Sequence, residues 1–378
     1  MSIYKKQNSF QDFRQKINTD QIQKNLKKII KEYLNNPVSE NKDRNIIQKI
    51  FDDLYIKNKE SKFNLTPNIL MELYSLDEKY YIKYLVGRYK YDVYPKLFRV
   101  SEFPPCLQIE PTSICNYRCV FCYQTDLDFF SKKSGKMGSM KIENFKMLID
   151  ECEGKVDFIT LASRGEPTVS KDFVNMLDYV KGKFLIFKIN TNASLLNDEI
   201  CHAILRNEVQ TVVFSADAAD EKLYSRLRVN GKLNKVLKNI NNFLNIKKKY
   251  YPNSKTISRV SGVKFNNEQK INDMVKLWGN LVDQVVFVDY NPWENIYKVE
   301  KNLINSPCSD LWRRMFIWWD LECNPCDVDF KSNLSPGKVS KNNCIQKIWN
   351  SDSYNNLRRK HLEDKRFSIE PCSRCSVI

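Results

Sequence analysis

The chain has 378 residues, of which 42% are hydrophobic and 28% are charged, so global disorder is excluded and the length allows two or three domains. The sequence has no apolar run of roughly 18 residues, which excludes a membrane-spanning helix, and its 10 glycines and 13 prolines exclude a collagen-like chain. The formal net charge of +16 favours an anionic partner or reflects a Lys- and Asn-rich solvated surface, and both interpretations stay open.

Residues 1–103 are predicted to form a helical N-terminal extension. Segments 21–34, 44–57 and 64–76 place apolar residues at three- and four-residue spacing, and the third contains a Thr-Pro pair typical of helix entry. We expect no chemistry and no strand-rich peptide-binding module here, only helices that pack on the next domain. Residues 1–16 lack an apolar stretch, so we expect no secretory signal and a cytoplasmic protein.

From residue 104 to 298, short β-branched runs alternate with amphipathic segments. This pattern predicts an α/β fold with a parallel sheet and crossover helices, and it leaves open whether the sheet closes into a barrel. Functional side chains should lie at the carboxyl ends of the strands. The six predicted strands lie within residues 106–111, 156–163, 184–192, 209–217, 256–265 and 283–290.

The alternation stops in residues 299–378, where the segment 313–320 is the one strand-like pattern. Because no export signal is expected, clustered cysteines indicate a metal site rather than disulfides, and we predict a small Cys-rich C-terminal domain organised by metal. The sequence has 2 histidines, which argues against histidine-based zinc catalysis. The six cysteines of this region are Cys308, Cys323, Cys326, Cys344, Cys372 and Cys375.

Cys115, Cys119 and Cys122 follow the first predicted strand with the spacing C-x3-C-x2-C, and Tyr123 comes next. Three thiolates can each bind one iron of a four-iron cluster and leave one iron open for a small molecule, whereas a structural zinc ion requires a fourth ligand. With this spacing and the aromatic residue after it, the sequence resembles the radical S-adenosylmethionine (SAM) superfamily. The resemblance implies a partial (β/α)6 TIM-like barrel over residues 104–298.

The resemblance also assigns SAM contacts. A Gly-Glu-Pro element at 165–167 follows the second strand, polar residues end the third and fourth strands, and a later arginine pairs with the SAM carboxylate. Helix capping stays the alternative for Asn192 and Asp217, as does a surface ion pair for Arg228. The family often has glycine where this chain has Arg164, so we expect that side chain to reach elsewhere. The implied cofactor-binding residues are Tyr123, Gly165, Glu166, Pro167, Asn190, Asn192, Ser215, Asp217 and Arg228.

The C-terminal cysteines resemble those of SPASM and twitch auxiliary-cluster domains. By position, the resemblance implies one auxiliary [4Fe-4S] cluster on Cys308, Cys326, Cys372 and Cys375, with zinc on the same four thiolates as the alternative. Cys323 is a rival for Cys326, and Cys344 is spare. The expected cofactors are therefore SAM, its [4Fe-4S] cluster and one auxiliary [4Fe-4S] cluster.

The resemblance implies a 5'-deoxyadenosyl radical that abstracts hydrogen from a substrate carbon. We expect a dehydrogenase that oxidises an anionic nucleotide- or phosphate-bearing sugar or aminosugar. Asp327 and Asp329 are candidate bases, with turn acids as the alternative for both. A peptide- or protein-modifying enzyme, a redox-neutral sugar epimerase and a non-enzymatic iron–sulfur sensor stay open. Expected partners are a small-molecule substrate and an electron donor such as flavodoxin or ferredoxin, with neither membrane nor nucleic acid.

The isolated cysteines Cys106, Cys152 and Cys201 are predicted to pack in the core. His202 and His361 are predicted to face solvent or to form local hydrogen bonds.

Overall fold

The computed structural model describes residues 11–14, 19–36, 41–56 and 60–378. Its α-helices are α1 (Thr19–Asn35), α2 (Asn41–Phe51), α3 (Pro67–Ser75), α4 (Tyr81–Asp92), α5 (Leu127–Phe130), α6 (Ile142–Cys152), α7 (Phe173–Val180), α8 (Asp198–Arg206), α9 (Glu221–Leu227), α10 (Leu233–Tyr250), α11 (Ile271–Gly279), α12 (Asp310–Arg313), α13 (Ile345–Trp349) and α14 (Asp352–Leu362). Its strands are β1 (Gln11–Arg14), β2 (Cys106–Ile109), β3 (Arg118–Cys119), β4 (Phe158–Leu161), β5 (Ile186–Thr191), β6 (Thr211–Ser215), β7 (Arg228–Val229), β8 (Ile257–Lys264), β9 (Gln284–Asp289), β10 (Arg314–Ile317), β11 (Glu322–Asn324) and β12 (Gly337–Lys338).

The six predicted strands form the parallel centre of one sheet, in the chain order β2-β4-β5-β6-β8-β9. Crossover helices connect them, as a parallel sheet requires. This arrangement confirms the predicted α/β fold with a TIM-like, partial barrel. In the described residues the sheet stays open, because its strand order has two ends, at β1 and at β12.

The C-terminal region extends the same sheet rather than standing apart from it. Strand β10, which the pattern at 313–320 predicted, pairs in parallel with β2, so that Met315 lies opposite Leu107. Strands β11 and β12 then continue the sheet in antiparallel pairs. The cysteine-rich segment is therefore fixed beside the strand that leads into the three-cysteine loop.

Strand β1 lies inside the region predicted to be helical. It pairs antiparallel with β9, with Gln11 opposite Phe287. Its four residues are too few to show the alternation by which a strand is recognised in a sequence. The N-terminal extension therefore contributes an edge strand as well as helices.

The N-terminal helices lie against the amino ends of the central strands. The Tyr84 ring of α4 packs at 5.8 Å from the ring of Phe158, the first residue of β4, and Leu185 and Ile186 at the start of β5 belong to the same apolar cluster. Functional side chains lie at the opposite, carboxyl ends of the strands. The helices therefore close the base of the barrel. Within the described residues, every helix is too short or too polar to cross a membrane.

A buried carboxylate connects these helices to the barrel. Glu72 of α3 accepts a hydrogen bond from the Tyr84 hydroxyl at 2.6 Å and forms an ion pair with Lys188 of β5. Burial alone would raise the pKa of Glu72, but the charges of Lys188 and Arg88 lower that pKa to about 2. The ionised carboxylate is therefore the form that the fold stabilises.

Replacing this carboxylate should weaken the fold. Glu72→Gln leaves Lys188 as an unpaired, largely buried charge, so the free energy of unfolding should fall by about 3 kcal/mol at neutral pH, measured by denaturant unfolding. The pKa of Glu72 is lower in the folded chain than in the unfolded one, so this stabilisation is complete above roughly pH 4.3 and is lost as the pH falls towards 2.

The difference in the free energy of unfolding between wild type and Glu72→Gln should therefore become smaller at acidic pH. Asp77→Asn is the control, since Asp77 forms an exposed ion pair with Lys255 and its loss should change stability little. Equal stability of Glu72→Gln and wild type would contradict the assignment.

Candidate functional site

The three-cysteine loop follows the carboxyl end of β2 and is fixed by backbone pairing. Strand β3 within the loop pairs antiparallel with β7, which places Cys119 opposite Arg228. The Gln124 side chain donates hydrogen bonds to the carbonyl oxygens of Ser113 at 2.7 Å and Arg164 at 2.5 Å. The loop therefore has a defined conformation from its first cysteine to the residues after its last.

Cys119 of this loop is buried, Cys115 and Cys122 are half-buried, and the three thiols influence one another. Burial, first, and then the charges of Glu166 and Cys119 raise the pKa of Cys115 to about 12. Burial and then the Cys119 charge raise the pKa of Cys122. Three neighbouring thiolates need a cation to compensate them, and iron supplies that charge. The donor set therefore fits a cluster held by Cys115, Cys119 and Cys122.

Gly165 lies directly against the three-cysteine loop. A Cβ atom at this position would be 2.3 Å from the Thr112 carbonyl oxygen and 2.6 Å from that of Ile114. The next backbone N–H, that of Glu166, donates to the Ile114 carbonyl oxygen at 3.0 Å. A side chain cannot be accommodated between these two backbones, so the Gly-Glu-Pro element sets the position of the loop.

The Glu166 carboxylate is buried and connects the ends of β4 and β5. It accepts hydrogen bonds from the hydroxyls of Thr168 and Thr191, both at 2.6 Å, and from the Asn192 backbone N–H at 2.6 Å. Burial raises the pKa of Glu166, and the hydrogen bonds from Thr168 and Thr191 oppose that shift. Pro167 opens the short 3-10 turn that follows. Contacts of Glu166 and Pro167 with SAM stay predictions.

Asn192 connects β5 to the three-cysteine loop. Its amide donates to Asn116 Oδ1 at 2.9 Å, and its Oδ1 accepts from the Ser194 backbone N–H and hydroxyl. Asn116 in turn donates to the Ser194 hydroxyl at 2.8 Å. The alternative of a helix cap is not what the structure shows, because the following helix α8 is capped by Asn197.

Asp217 and Arg228 form a buried ion pair next to Cys119. The Arg228 Nε donates to Asp217 Oδ2, and Asp217 Oδ1 accepts from the Val263 backbone N–H at 2.6 Å. Helix α9 is capped by Asp220, so Asp217 is not a helix cap, and the pair does not lie at the surface. The Nε donor of Arg228 is therefore bound to Asp217 within the protein. The contact of Arg228 with SAM stays a prediction.

The three other residues predicted to contact SAM have different surroundings. The Tyr123 hydroxyl donates to the Ser163 carbonyl oxygen at 2.9 Å, and its ring stacks on that of Phe330 at 5.1 Å. Asn190 and Ser215 are half-buried at the carboxyl ends of β5 and β6, and Asn190 lies on the opposite face of its strand from the buried Ile189. Their contacts with SAM stay predictions.

Arg164 reaches the C-terminal domain, as its unusual place in the sequence suggested. Its Nε and one terminal nitrogen donate to the two carboxylate oxygens of Glu110 at 2.8 and 2.6 Å, and its other terminal nitrogen donates to the Phe330 carbonyl oxygen at 3.0 Å. The guanidinium also lies 4.2 Å from the Trp318 ring centroid. Sequence analysis missed Glu110, whose one signal was its position at the end of the first predicted strand.

The structure brings the four predicted auxiliary cysteines together. Burial raises the pKa of Cys326 well above its usual value, and the charges of Asp329, Cys372 and Cys308 raise it further. Cys375 and Cys308 act in the same way on the buried Cys372. We define these four residues as the four-thiol site: Cys308, Cys326, Cys372 and Cys375.

The two remaining C-terminal cysteines lie outside the four-thiol site. Cys323 is buried in β11, and after burial the leading influences on its pKa are the charges of Glu322 and Glu151 rather than those of the four thiols. Cys344 is the residue before helix α13. The choice of Cys326 over Cys323 as a ligand, and the spare role of Cys344, stay predictions.

The arrangement of donors bears on which metal the four-thiol site suits. In residues 11–14, 19–36, 41–56 and 60–378, no three His, Cys, Asp or Glu side chains converge on a point where one ion could bind. A structural zinc ion requires four ligands around a single centre, whereas in a cluster each thiolate binds a different iron. That these four thiols are the ligands of a cluster stays a prediction.

The two candidate bases have different surroundings. Asp329 is buried and accepts hydrogen bonds from the Tyr297 hydroxyl at 2.6 Å and from the backbone N–H groups of Asn333 and Leu334, which is the turn role that the sequence left open. Asp327 is half-buried, and its charge is among those that raise the pKa of Tyr123. A base role for Asp327 or Asp329 stays a prediction.

The two histidines also differ. His202 forms a local hydrogen bond with the Tyr251 hydroxyl at 2.9 Å, as predicted. His361 is fully buried, so the expectation that it faces solvent is wrong; its Nδ1 accepts from the Cys308 backbone N–H at 3.3 Å. Burial and the Arg366 charge lower the pKa of His361 to about 3, so its ring is neutral.

Comparison with protein families agrees with this arrangement. Residues 109–277 match the Radical SAM superfamily, and residues 308–376 match SPASM, an iron–sulfur cluster-binding domain. The two matched segments contain the three-cysteine loop and the four-thiol site, respectively. The expected cofactors are thereby confirmed as SAM, a [4Fe-4S] cluster and an auxiliary cluster.

Two curated relatives resemble parts of the chain. The mycofactocin maturase MftC of Mycolicibacterium smegmatis is 28% identical over 149 residues, which is 39% of this chain and 36% of the relative. The tungsten-containing aldehyde ferredoxin oxidoreductase cofactor-modifying protein of Pyrococcus furiosus is 32% identical over 113 residues, which is 29% of this chain and 30% of the relative. The chain spans about a third of the length of these relatives.

Among solved structures, Streptococcus suis SuiB bound to S-adenosylmethionine aligns with a TM-score of 0.53 and 16% identity, over 93% of this chain and 88% of SuiB. SuiB bound to the precursor peptide SuiA aligns with a TM-score of 0.51 and 15% identity, over 88% and 83% of the two chains. At these identities the likeness shows a shared fold.

A side chain at Gly165 should displace the three-cysteine loop. Gly165→Ala is expected to lower the free energy of unfolding by about 1–3 kcal/mol and to reduce the iron retained by the loop, because the added methyl meets two backbone carbonyls. Denaturant unfolding and iron analysis measure the two effects. Gly279→Ala is the control, since its Cβ meets only Val285 Cγ2, at 3.9 Å. Unchanged stability and iron content in Gly165→Ala would contradict this role.

Metal analysis tests the two cysteine groups separately. Reconstituted chain should contain about eight irons, as two four-iron clusters, and joint replacement of Cys115, Cys119 and Cys122 by Ala should leave about four. Joint replacement of the four-thiol site should also leave about four. Cys344→Ala is the control and should change neither number. Four irons with one equivalent of zinc in the wild type would refute the auxiliary cluster.

Proposed function

Because this chain is a radical SAM enzyme with a C-terminal SPASM domain, we propose that it modifies a carbon atom of a precursor peptide. The observation that carries the proposal is the fold shared with SuiB along nearly the whole chain, since SuiB has been solved with a precursor peptide bound. The similarity to a mycofactocin maturase supports the same substrate class. These relatives support the alternative raised in the sequence analysis better than the sugar substrate it favoured.

The surface around the three-cysteine loop favours a peptide for a second reason. Ile114, Val120, Leu127 and Phe130 lie in or just after this loop with 37–76% of their surface exposed. Exposed apolar side chains grouped near a functional site are typical of a surface that binds a protein or a peptide. A hydroxyl-rich sugar would gain little from them.

SAM and its [4Fe-4S] cluster, when bound, supply a radical that can remove a hydrogen atom from an unactivated carbon. The chain's own residues hold and shield that chemistry. Cys115, Cys119 and Cys122 would bind the cluster, and Gly165 with the Glu166 hydrogen bonds sets the loop against the ends of β4 and β5.

The C-terminal domain would close one side of the reaction space. Arg164 donates to the Phe330 carbonyl oxygen, and the Phe330 ring stacks on that of Tyr123, directly after Cys122. Excluding water at this point protects a reactive intermediate from side reactions. We retain oxidation as the proposed reaction type: the peptide would lose one hydrogen atom to the SAM-derived radical, then a proton to a base such as Asp327 or Asp329 and an electron to the auxiliary cluster. The peptide product therefore lacks two hydrogens of the substrate.

Substrate-dependent cleavage of SAM tests the proposal. Reduced, reconstituted chain is incubated with SAM and either short precursor peptides encoded beside its gene or a panel of nucleotide sugars and aminosugars. We expect a peptide to increase 5'-deoxyadenosine formation and to become lighter by two hydrogens in mass spectrometry. The variant lacking Cys115, Cys119 and Cys122 is the inactive control. Stimulation by a sugar with no mass change in any peptide would overturn the proposal.

A matched pair of variants tests whether the exposed side chains of Ile114, Val120, Leu127 and Phe130 contribute to peptide binding. Leu127→Ser removes the most exposed of the four side chains and should raise the KM for the peptide about tenfold, with kcat retained, since burying a leucine contributes about 1.5 kcal/mol. Tyr74→Ser is the control, because Tyr74 is exposed on α3 at the base of the barrel. An equal KM for both variants would show that these apolar side chains do not bind the peptide.

A further inference from the structure

Arg366 lies inside the C-terminal domain, where it organises the backbone of the four-thiol site. It is 1% exposed. Its guanidinium donates to four carbonyl oxygens, those of Ser306 at 2.8 Å, Cys372 at 3.3 Å, Cys375 at 2.6 Å and Val377 at 2.8 Å. Two of these carbonyls belong to cysteines of the site, so the side chain connects the last cysteine pair to the segment that precedes Cys308.

The charge of Arg366 is not matched by a carboxylate. In the part of the chain that the structure describes, Arg366 forms hydrogen bonds to carbonyl oxygens and no ion pair with Asp or Glu. A buried cation without a counter-anion is costly. Two of the residues whose carbonyls it binds, Cys372 and Cys375, carry thiols of the four-thiol site. The groups that gain from this cation are therefore the thiolates.

We propose that Arg366 is a positioning residue that acts as the fixed countercharge of the auxiliary cluster. Its hydrogen bonds shape the loops of the four-thiol site, and its positive charge offsets the negative charge of the thiolate-bound cluster. A fixed positive charge favours the more negative, reduced form of a cluster, so Arg366 raises the reduction potential. The proposal rests on the SPASM domain and on no particular substrate.

A second buried arginine in the same domain serves as a control that separates the effect of the Arg366 charge from the effect of its hydrogen bonds. Arg358 is also buried and donates to the carbonyl oxygens of Leu311 and Trp349 at 3.0 and 2.8 Å. Its guanidinium lies 4.2 Å from the Trp349 ring centroid, and its hydrogen-bond partners include no cysteine of the four-thiol site. Arg358 therefore holds backbone carbonyls as Arg366 does, but not those of the cluster cysteines.

Redox titration of the auxiliary cluster tests the proposal without substrate. The full chain with Cys115, Cys119 and Cys122 replaced by Ala contains this cluster alone, and its reduced fraction is followed by electron paramagnetic resonance. Arg366→Gln should lower the ratio of reduced to oxidised cluster about tenfold at a fixed potential, which is about 59 mV for one electron. Arg366→Lys keeps the charge and should stay near the parent ratio, and Arg358→Gln should not change it.

Each outcome of these measurements either supports the countercharge role of Arg366 or overturns it. If Arg366→Gln fails to retain iron while Arg366→Lys retains it, the countercharge is supported, because the charge alone restores the cluster. Loss of iron in both Arg366 variants would show a purely structural role and overturn the proposal. An unchanged ratio in Arg366→Gln, or equal shifts in Arg366→Gln and either Arg366→Lys or Arg358→Gln, would also overturn it. None of these results depends on whether the substrate is a peptide.

Discussion

The buried ion pair between Glu110 and Arg164 is the interaction on which the site depends. Glu110 directly follows the strand that leads into the three-cysteine loop, and Arg164 precedes the Gly-Glu-Pro element after the next strand. Both side chains are almost completely buried. Such a pair is tolerated because the contact is bidentate and the remaining Arg164 donor binds a backbone carbonyl. Since that carbonyl belongs to Phe330, the same arginine also sets the position of the C-terminal domain.

Three buried arginines mark the three parts of the site, and their partners differ. Arg164 and Arg228 are each paired with a carboxylate, Glu110 and Asp217. Their charges are compensated within the protein, so their main role is to fix backbone segments. Arg366 has carbonyl partners instead, as Arg358 does, but two of them belong to cysteines of the four-thiol site. The proposed countercharge therefore rests on which residues Arg366 contacts as well as on its lack of a carboxylate partner.

The N-terminal extension and the candidate site lie at opposite ends of the barrel. Its helices contact the amino ends of β4 and β5, whereas the cysteines, the Gly-Glu-Pro element and the exposed apolar side chains lie at the carboxyl ends. The absence of a strand-rich module from these helices therefore does not weigh against a peptide substrate, since they are remote from where a substrate would enter. Strand β1, which precedes these helices in the chain, pairs with β9 at the edge of the sheet.

The sequence alone determined the features that are local. The spacing of Cys115, Cys119 and Cys122 was readable because neighbouring residues on one short loop must share a site, and the alternation of strands and helices was readable because side-chain periodicity depends on neighbours in the chain. Only the tertiary structure decided the long-range contacts. Arg164 meets Phe330 across 166 positions, and Cys323 lies in β11, whereas the charges of Cys308 and Cys372 act on the nearby Cys326. Sequence spacing carries no information about such contacts, since they depend on how separate segments pack against one another.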